Sequence, residues 1–145
     1  MSTFFFSEQE QSSLVEAIRQ AELHTSGEIR IHVEPKCMID PEQRAWQVFA
    51  GLDMHKTDLR NEVLIYLAYE SKRFAIIGDQ GIHEKVRQHF WDKERDILKM
   101  HFAQGQFHTG LVKAIHEVGQ SLKTYFPRAI DDTNELSNEI SFGHE

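Results

Sequence analysis

The stretch VLIYLAYESKRFAIIGDQG, at positions 63–81, decides the fold. Its first six residues are a continuous apolar run, which is typical of a β-strand covered on both faces. Residues 70–72 form a connection of hairpin length, and residues 73–77 supply a second apolar run. Residues 78–81, Gly-Asp-Gln-Gly, then break the pattern. We therefore predict an antiparallel hairpin that ends in a tight turn.

The residues before the hairpin predict a helix, a strand and a second helix. Ser7 and Glu10 have the spacing of a capping box, so a helix should begin there. Residues 28–34, EIRIHVE, alternate as a strand with one buried face does. Asp40 and Pro41 have the types preferred at a helix N-cap and at the first helical position. This order implies a right-handed crossover between two parallel strands.

The residues after the hairpin are predicted to be helical. From residue 82 to residue 97 apolar side chains return at helical intervals, with a break near Trp91 and Asp92. A glycine-containing loop follows at 102–110, in which Thr109 would cap the next helix. Apolar residues at helical spacing over 111–122 predict that last helix.

The pattern predicts one domain and a tail. A chain of about this length buries enough surface in a single core for one domain to fold alone. We expect residues 1–127 to form a single three-layer α/β domain with a small mixed sheet and helices on both faces. Residues 128–145 are acidic and lack a sustained period, so we expect a loosely ordered tail.

Composition limits the partners. The formal charge of the 145 residues is −7, which argues against a nucleic-acid or anionic-membrane binder. A single cysteine, no signal-peptide pattern and no apolar run of membrane-spanning length favour a soluble, cytoplasmic protein. We expect it to be a monomer. The three phenylalanines at 4–6 and the acidic tail leave a protein partner open, although a hydrophobic lead-in packed on the core is the simpler interpretation.

Several catalytic classes lack their motifs here. The sequence has no phosphate-binding P-loop, no nucleophile elbow, no dinucleotide-binding glycine motif and no C-x-x-C. The nine histidines include no H-E-x-x-H pair, so a zinc site is not indicated. The site must be sought in residues that the topology brings together.

One edge of the predicted sheet collects oxygen-bearing side chains. The starts of the two parallel strands and the end of the third strand meet there. We predict that Ca²⁺ or Mg²⁺ binds at this edge through Asp58 and Asp79, assisted by Asn61 or Glu62, because carboxylate and amide oxygens suit hard cations. We expect a cavity at this edge around the cation. Its lining would come from the Ser-Gly pair before the first strand and the glycine turn after the third strand, namely Ser26, Gly27, Gly78 and Gly81.

Two alternatives remain from the residues alone. Backbone N–H groups of the glycine turn could hold a phosphate, and a bridging cation would then support metal-assisted phosphomonoester hydrolysis. The opposite edge, with Glu34, Asp40 and Glu70, is a second candidate pocket.

Four segments together resemble the TPM domain family: TSGEIRIHVE, DPEQRAWQVF, RNEVLIYLAYESKRFAIIGDQGIHEKV and HFAQGQFHTGLVKAIHEVG. They span residues 25 to about 122, and the early helix looks like that of stand-alone bacterial members. The resemblance implies a Rossmann-like α/β sandwich, divalent cation binding in a loop-lined cavity at one sheet edge, and an acid phosphatase activity.

Three elements of the family's sequence pattern match positions in this sequence. The family's Ser-Gly before the first strand matches Ser26 and Gly27, and its polar element before the second strand matches Asp58 and Asn61. The glycine turn after the third strand matches the region of Gly78. Many members have a G-x-G-L-E-G turn there, whereas in this sequence the two glycines are three positions apart.

Overall fold

The computed structural model describes residues 5–128 and 140–143. In chain order the elements are α1 (Glu8–Glu22), β1 (Glu28–Glu34), α2 (Pro41–Gly51), a short 3-10 helix (Met54–Lys56), β2 (Glu62–Ala68), β3 (Arg73–Gly78), α3 (Gln80–Ala103), α4 (Phe107–Tyr125) and β4 (Ser141–Phe142). The predicted strands and helices therefore occur where the periodicity placed them.

The four strands form one mixed sheet in the order β3-β2-β1-β4. β1 and β2 run parallel, with Glu28 opposite Glu62 and Glu34 opposite Ala68. β3 returns antiparallel to β2 and pairs Gly78 with Val63. The predicted crossover and hairpin are thereby confirmed.

Helices cover both faces of this sheet. On one face α1, α3 and α4 pack over alternate strand residues that include Ile31 and Ile65. On the other face α2 packs over the intervening residues, among them Leu64 and Tyr66. The predicted three-layer, Rossmann-like α/β fold is confirmed.

The predicted helix starts are confirmed by their caps. Ser7 Oγ accepts the Glu10 N–H at 3.1 Å and Glu10 Oε1 accepts the Ser7 N–H at 3.0 Å, which completes the capping box of α1. Asp40 Oδ2 accepts the Gln43 N–H at 3.0 Å at the start of α2. Both caps satisfy backbone groups that a helix terminus leaves without a partner.

The break predicted in α3 lies four residues earlier than Trp91, at Arg87. Trp91 Nε1 donates to His83 Nδ1 over 3.0 Å, although eight residues of straight helix would separate the two by about 12 Å. The kink makes this contact possible. Arg87 has φ 66° and ψ 178°, a conformation that is essentially restricted to glycine.

Two further expectations differ from the structure. Thr109 does not cap α4, because the helix already begins at Phe107 and places Thr109 inside its first turn. β1 is buried on both faces rather than one, since its polar residues Glu28, His32 and Glu34 are buried together with its apolar ones.

The terminal segments are described in part. Phe6 is buried, and the Phe5 ring stacks on Tyr69 with centroids 4.3 Å apart, as a lead-in packed on the core would do. Phe4 lies outside the described residues, as do 129–139 of the predicted tail. Ser141 and Phe142 pair in parallel with His32 and Val33 of β1. Within the described residues, no helix has the length and apolarity that crossing a membrane requires.

The kink predicts the effect of two matched substitutions. Arg87→Gly should raise the free energy of unfolding by roughly 0.5 to 1 kcal/mol, because glycine adopts this conformation without strain. Arg95→Gly, in the regular and exposed part of α3, should lower it by about 1 kcal/mol. Urea unfolding monitored by circular dichroism measures both, and two substitutions that destabilise equally would contradict a strained kink.

Candidate functional site

Three carboxylates lie side by side at the edge of the sheet where β1 and β2 begin. Glu28 and Glu62 are opposite each other in the parallel register, and the Asp79 N–H donates to the Glu62 carbonyl at 2.9 Å. Their exposed fractions are only 2%, 1% and 3%. We call Glu28, Glu62 and Asp79 the acidic row.

Arg60 neutralises one end of the acidic row. Its Nε lies 2.6 Å from Asp79 Oδ2 and its Nη2 lies 2.9 Å from Asp79 Oδ1, a bidentate ion pair. Asp79 also caps α3, because its Oδ1 accepts the Gln80 N–H at 2.8 Å. The Arg60 side chain is 46% exposed, so solvent reaches the guanidinium that faces this buried carboxylate.

Glu62 occupies the centre of the acidic row and forms no ion pair among the described residues, although the Arg60 guanidinium is near enough to interact with its charge. Burial is the main reason that the pKa of Glu62 is raised to about 7; the neighbouring carboxylates Asp79 and Glu28 act in the same direction, and the nearby Thr57 hydroxyl opposes them. Its Oε1 atom is buried and has no hydrogen-bond partner among the described residues. A proton or a bound cation would remove the cost of this buried negative charge.

Glu22, at the end of α1, extends the acidic region. Its Oε2 accepts the Ile29 N–H at 2.8 Å, while its Oε1 is buried and has no partner in the described part of the chain. Burial, with a smaller contribution from the negative charge of Glu28, raises the pKa of Glu22 to about 8. The helix pattern of the sequence gave no reason to single this residue out.

The four predicted metal ligands are placed differently. Asp79 and Glu62 belong to the acidic row, and Asn61 adjoins it, with its Nδ2 donating to Ser26 Oγ at 3.2 Å. Asp58 lies in the exposed loop before β2, outside the row. In residues 5–128 and 140–143, no group of three or more His, Cys, Asp or Glu side chains is already arranged to hold a metal ion.

A cavity of about 460 Å³ adjoins Asp79. It lies between α2 and α3, and its lining includes Gly78, Asp79, Arg60, Trp46 and Trp91. Gly78 is needed because the Trp91 ring occupies the space that a Cβ atom would fill. Of the four predicted lining residues, Gly78 alone lines this cavity; the other three, Ser26, Gly27 and Gly81, lie around the row.

The other two glycines permit close packing. A Cβ atom on Gly27 would lie 2.6 Å from Leu122 Cδ2 of α4. A Cβ atom on Gly81 would lie 2.6 Å from the Arg60 carbonyl oxygen and closer still to that of Leu59. Gly81 therefore lets the first turn of α3 rest on the loop that carries Arg60, which positions the guanidinium against Asp79.

The opposite edge forms an enclosed network rather than an open pocket. Arg44 donates to both Glu34 oxygens at 2.9 Å. The Tyr66 hydroxyl and the His32 ring are hydrogen-bonded to the same carboxylate. Although burial opposes it, these hydrogen bonds hold the pKa of Glu34 at about 2. Asp40 caps α2 and Glu70 is exposed, so the three predicted carboxylates there have separate roles.

Comparison with known proteins gives one family. The sequence-family model of the TPM domain matches residues 2–121. The NMR structure of the BA42 protein from the psychrophilic bacterium Bizionia argentinensis is 47% identical, with a TM-score of 0.89 and 96% of each chain covered. No curated protein matches the chain significantly.

A more distant structure shares the fold. The N-terminal domain of the cg2496 protein from Corynebacterium glutamicum is 16% identical, covering 83% of this chain and 76% of that one, with a TM-score of 0.66. At this identity the likeness concerns the arrangement of strands and helices alone.

The close approach at Gly81 predicts a localised loss of stability. Gly81→Ala should lower the free energy of unfolding by about 2 kcal/mol or more, because two carbonyl groups must move to admit the methyl group. Gly51→Ala is the matched control, since nothing lies within 4 Å of a Cβ atom there. Thermal unfolding of both variants measures the difference, and equal melting temperatures would contradict the proposed contact.

The raised pKa of Glu62 predicts how stability depends on pH. The folded protein retains this proton up to about pH 7, whereas the unfolded chain loses it near the ordinary value of 4.5. The folded state therefore binds more protons between these values, and the free energy of unfolding should fall as pH rises from 5 to 8. Glu62 alone accounts for at most about 3 kcal/mol of that fall.

Glu62→Gln should reduce this fall and raise stability at pH 8. The exposed Glu84→Gln is the matched control and should follow the parent protein at every pH. Urea unfolding at a series of pH values measures all three proteins. A Glu62→Gln curve parallel to that of the parent would mean that Glu62 is ionised in the folded state throughout.

Proposed function

The chain belongs to the TPM domain family, and we propose that it is a binding module for a divalent cation, Ca²⁺ or Mg²⁺, held at the acidic row. The observation that carries the proposal is Glu62, a buried carboxylate flanked by Glu28 and Asp79 and with one oxygen lacking a partner among the described residues.

The donor chemistry suits a hard cation. The Asp79 and Glu28 carboxylates lie close enough to Glu62 to raise its pKa, and Asn61 and Asp58 precede it in the chain; all of these side chains carry oxygen atoms. A bound divalent ion would supply two positive charges to a row that holds three carboxylates and one guanidinium. It would thereby replace the proton that burial favours on Glu62.

Arg60 must respond when a cation binds. Its guanidinium engages both Asp79 oxygens, so Asp79 can become a ligand only if this ion pair opens or shifts. The side chain is about half exposed and can move into solvent at small cost. Arg60 thus acts as a tethered cation that competes with the metal ion for Asp79.

Phosphomonoester hydrolysis is the second candidate and stays a prediction. In its favour, the cavity beside Asp79 is lined by the Arg60 guanidinium and by His83, and the N-terminus of α3 opens towards it. Guanidinium groups and helix N-termini both bind phosphoryl oxygens. Among the residues that the structure describes, no side chain at this cavity is placed as a dedicated nucleophile, so we rank a binding role first.

Cation binding is tested by titrating Ca²⁺ and Mg²⁺ separately into ¹⁵N-labelled protein and following the amide shifts. We expect saturable shifts at the loop and strand start that carry Asn61 and Glu62, and at the turn around Asp79. Glu62→Gln should weaken binding at least tenfold, because it removes a charged ligand from a buried site. Arg60→Gln should strengthen binding, because it removes the competing cation.

Glu94→Gln provides the matched control for that titration. Burial raises the pKa of Glu94 above its usual range, as it does that of Glu62, but Glu94 belongs to α3 and lies beside Glu117 of α4. The control variant should bind like the parent protein. Shifts confined to other regions, or equal losses in Glu62→Gln and Glu94→Gln, would overturn the cation site.

A further inference from the structure

A second cavity, of about 450 Å³, lies at the other end of the sheet from the acidic row. It is formed where β2 leads into β3 and where α3 leads into α4. Its size falls within the range of about 300 to 1,000 Å³ that is usual for small-molecule sites. The apolar part of its lining consists of Leu67, Tyr69, Phe74, Phe102, Ala103 and Phe107.

Aromatic rings make one wall of this cavity. The Phe102 ring packs against Phe74 with centroids 5.0 Å apart and against Phe107 with centroids 5.1 Å apart. Because each ring is held by its neighbours, the wall is preformed and its shape does not depend on a ligand. Such a surface favours an apolar chain over a polar ligand.

Two lysines supply the charge at this cavity. Lys72 and Lys99 are both exposed and both line it, and among the described residues neither ammonium group forms an ion pair or a hydrogen bond. No acidic side chain is among the described lining residues. These two ammonium groups match an anionic ligand, and the nearby opposing charge is Glu70, which acts on Tyr69 from outside the lining.

Lys72 adopts a backbone conformation that lysine rarely takes. Its φ is 57°, in the left-handed region that glycine and asparagine favour in such a turn. A glycine would relieve this strain but would remove the ammonium group. Strained residues of this kind cluster at ligand sites, where the side chain is needed in a fixed place.

We propose that this cavity binds a free single-chain aliphatic carboxylate, with its chain against the aromatic wall and its carboxylate between Lys72 and Lys99. The aliphatic chain removes apolar wall surface from water, and the two ammonium groups pair with the carboxylate. An anionic lipid surface is a different occupant, and the net negative charge of the chain disfavours it.

The proposal is tested by calorimetric titration of the full chain with octanoate and decanoate below their micelle concentrations. Two added methylene groups should tighten binding by roughly tenfold. Decanol and decyltrimethylammonium should bind at least tenfold more weakly than decanoate, because the first lacks the charge and the second reverses it. Amide shifts should change around Lys72, Phe74 and Phe102.

Two pairs of variants separate charge from shape. Lys72→Gln/Lys99→Gln should weaken decanoate binding by roughly tenfold, whereas Lys85→Gln/Lys123→Gln, with the same change in net charge, should leave it unchanged. Ala103→Trp should abolish binding by filling the cavity, whereas Ala50→Trp, at an exposed position on α2, should not. Circular dichroism confirms that each variant is folded.

Three results would overturn the proposal. They are the absence of decanoate binding, equal affinity for decanoate and decyltrimethylammonium, and decanoate binding that survives both Lys72→Gln/Lys99→Gln and Ala103→Trp. Co-sedimentation with vesicles of anionic phospholipid, combined with no binding of free decanoate, would assign the two lysines to a membrane surface instead.

Discussion

The parallel pairing that sets Glu28 opposite Glu62 is the constraint on which the rest of the structure depends. Because side chains alternate between the two faces of a strand, this register places Ile31 and Ile65 in one core and the glutamates on the other face. β3 continues the alignment and adds Asp79 beside Glu62. A shift by one residue would bury the acidic side chains among α1, α3 and α4.

Burying three carboxylates together costs desolvation free energy, which is offset differently at Asp79 and at Glu62. Asp79 is paired with Arg60, and the pKa of Glu62 rises to about 7 because burial disfavours its charged form. Near neutral pH Glu62 is therefore close to the midpoint of its titration, and the proposed cation would compete with its proton. Under this proposal, an ion that replaces the proton would also stabilise the folded chain.

Local signals in the sequence were sufficient for the four α-helices, the first three strands and their order, but not for β4. The capping box at Ser7 and the hairpin of residues 63–77 depend on neighbouring residues, and the structure confirms both. The sequence predicted the break in α3 four residues too late. The position of the kink depends on the contacts that Trp91 makes with Gly78 and His83, which are tertiary and leave no local pattern. The Arg60 ion pair and the burial of Glu22 were not predicted, since both depend on contacts between distant segments that no local spacing encodes.

The most direct test of this account is a carbon-detected NMR titration of the glutamate side-chain carboxyl groups, with and without a divalent cation. The account predicts that Glu62 titrates near pH 7 in the cation-free protein and at a clearly lower pH when Ca²⁺ or Mg²⁺ is present, because a bound cation favours the ionised form. Titration near pH 4.5, or a titration midpoint that the cation leaves unchanged, would contradict it.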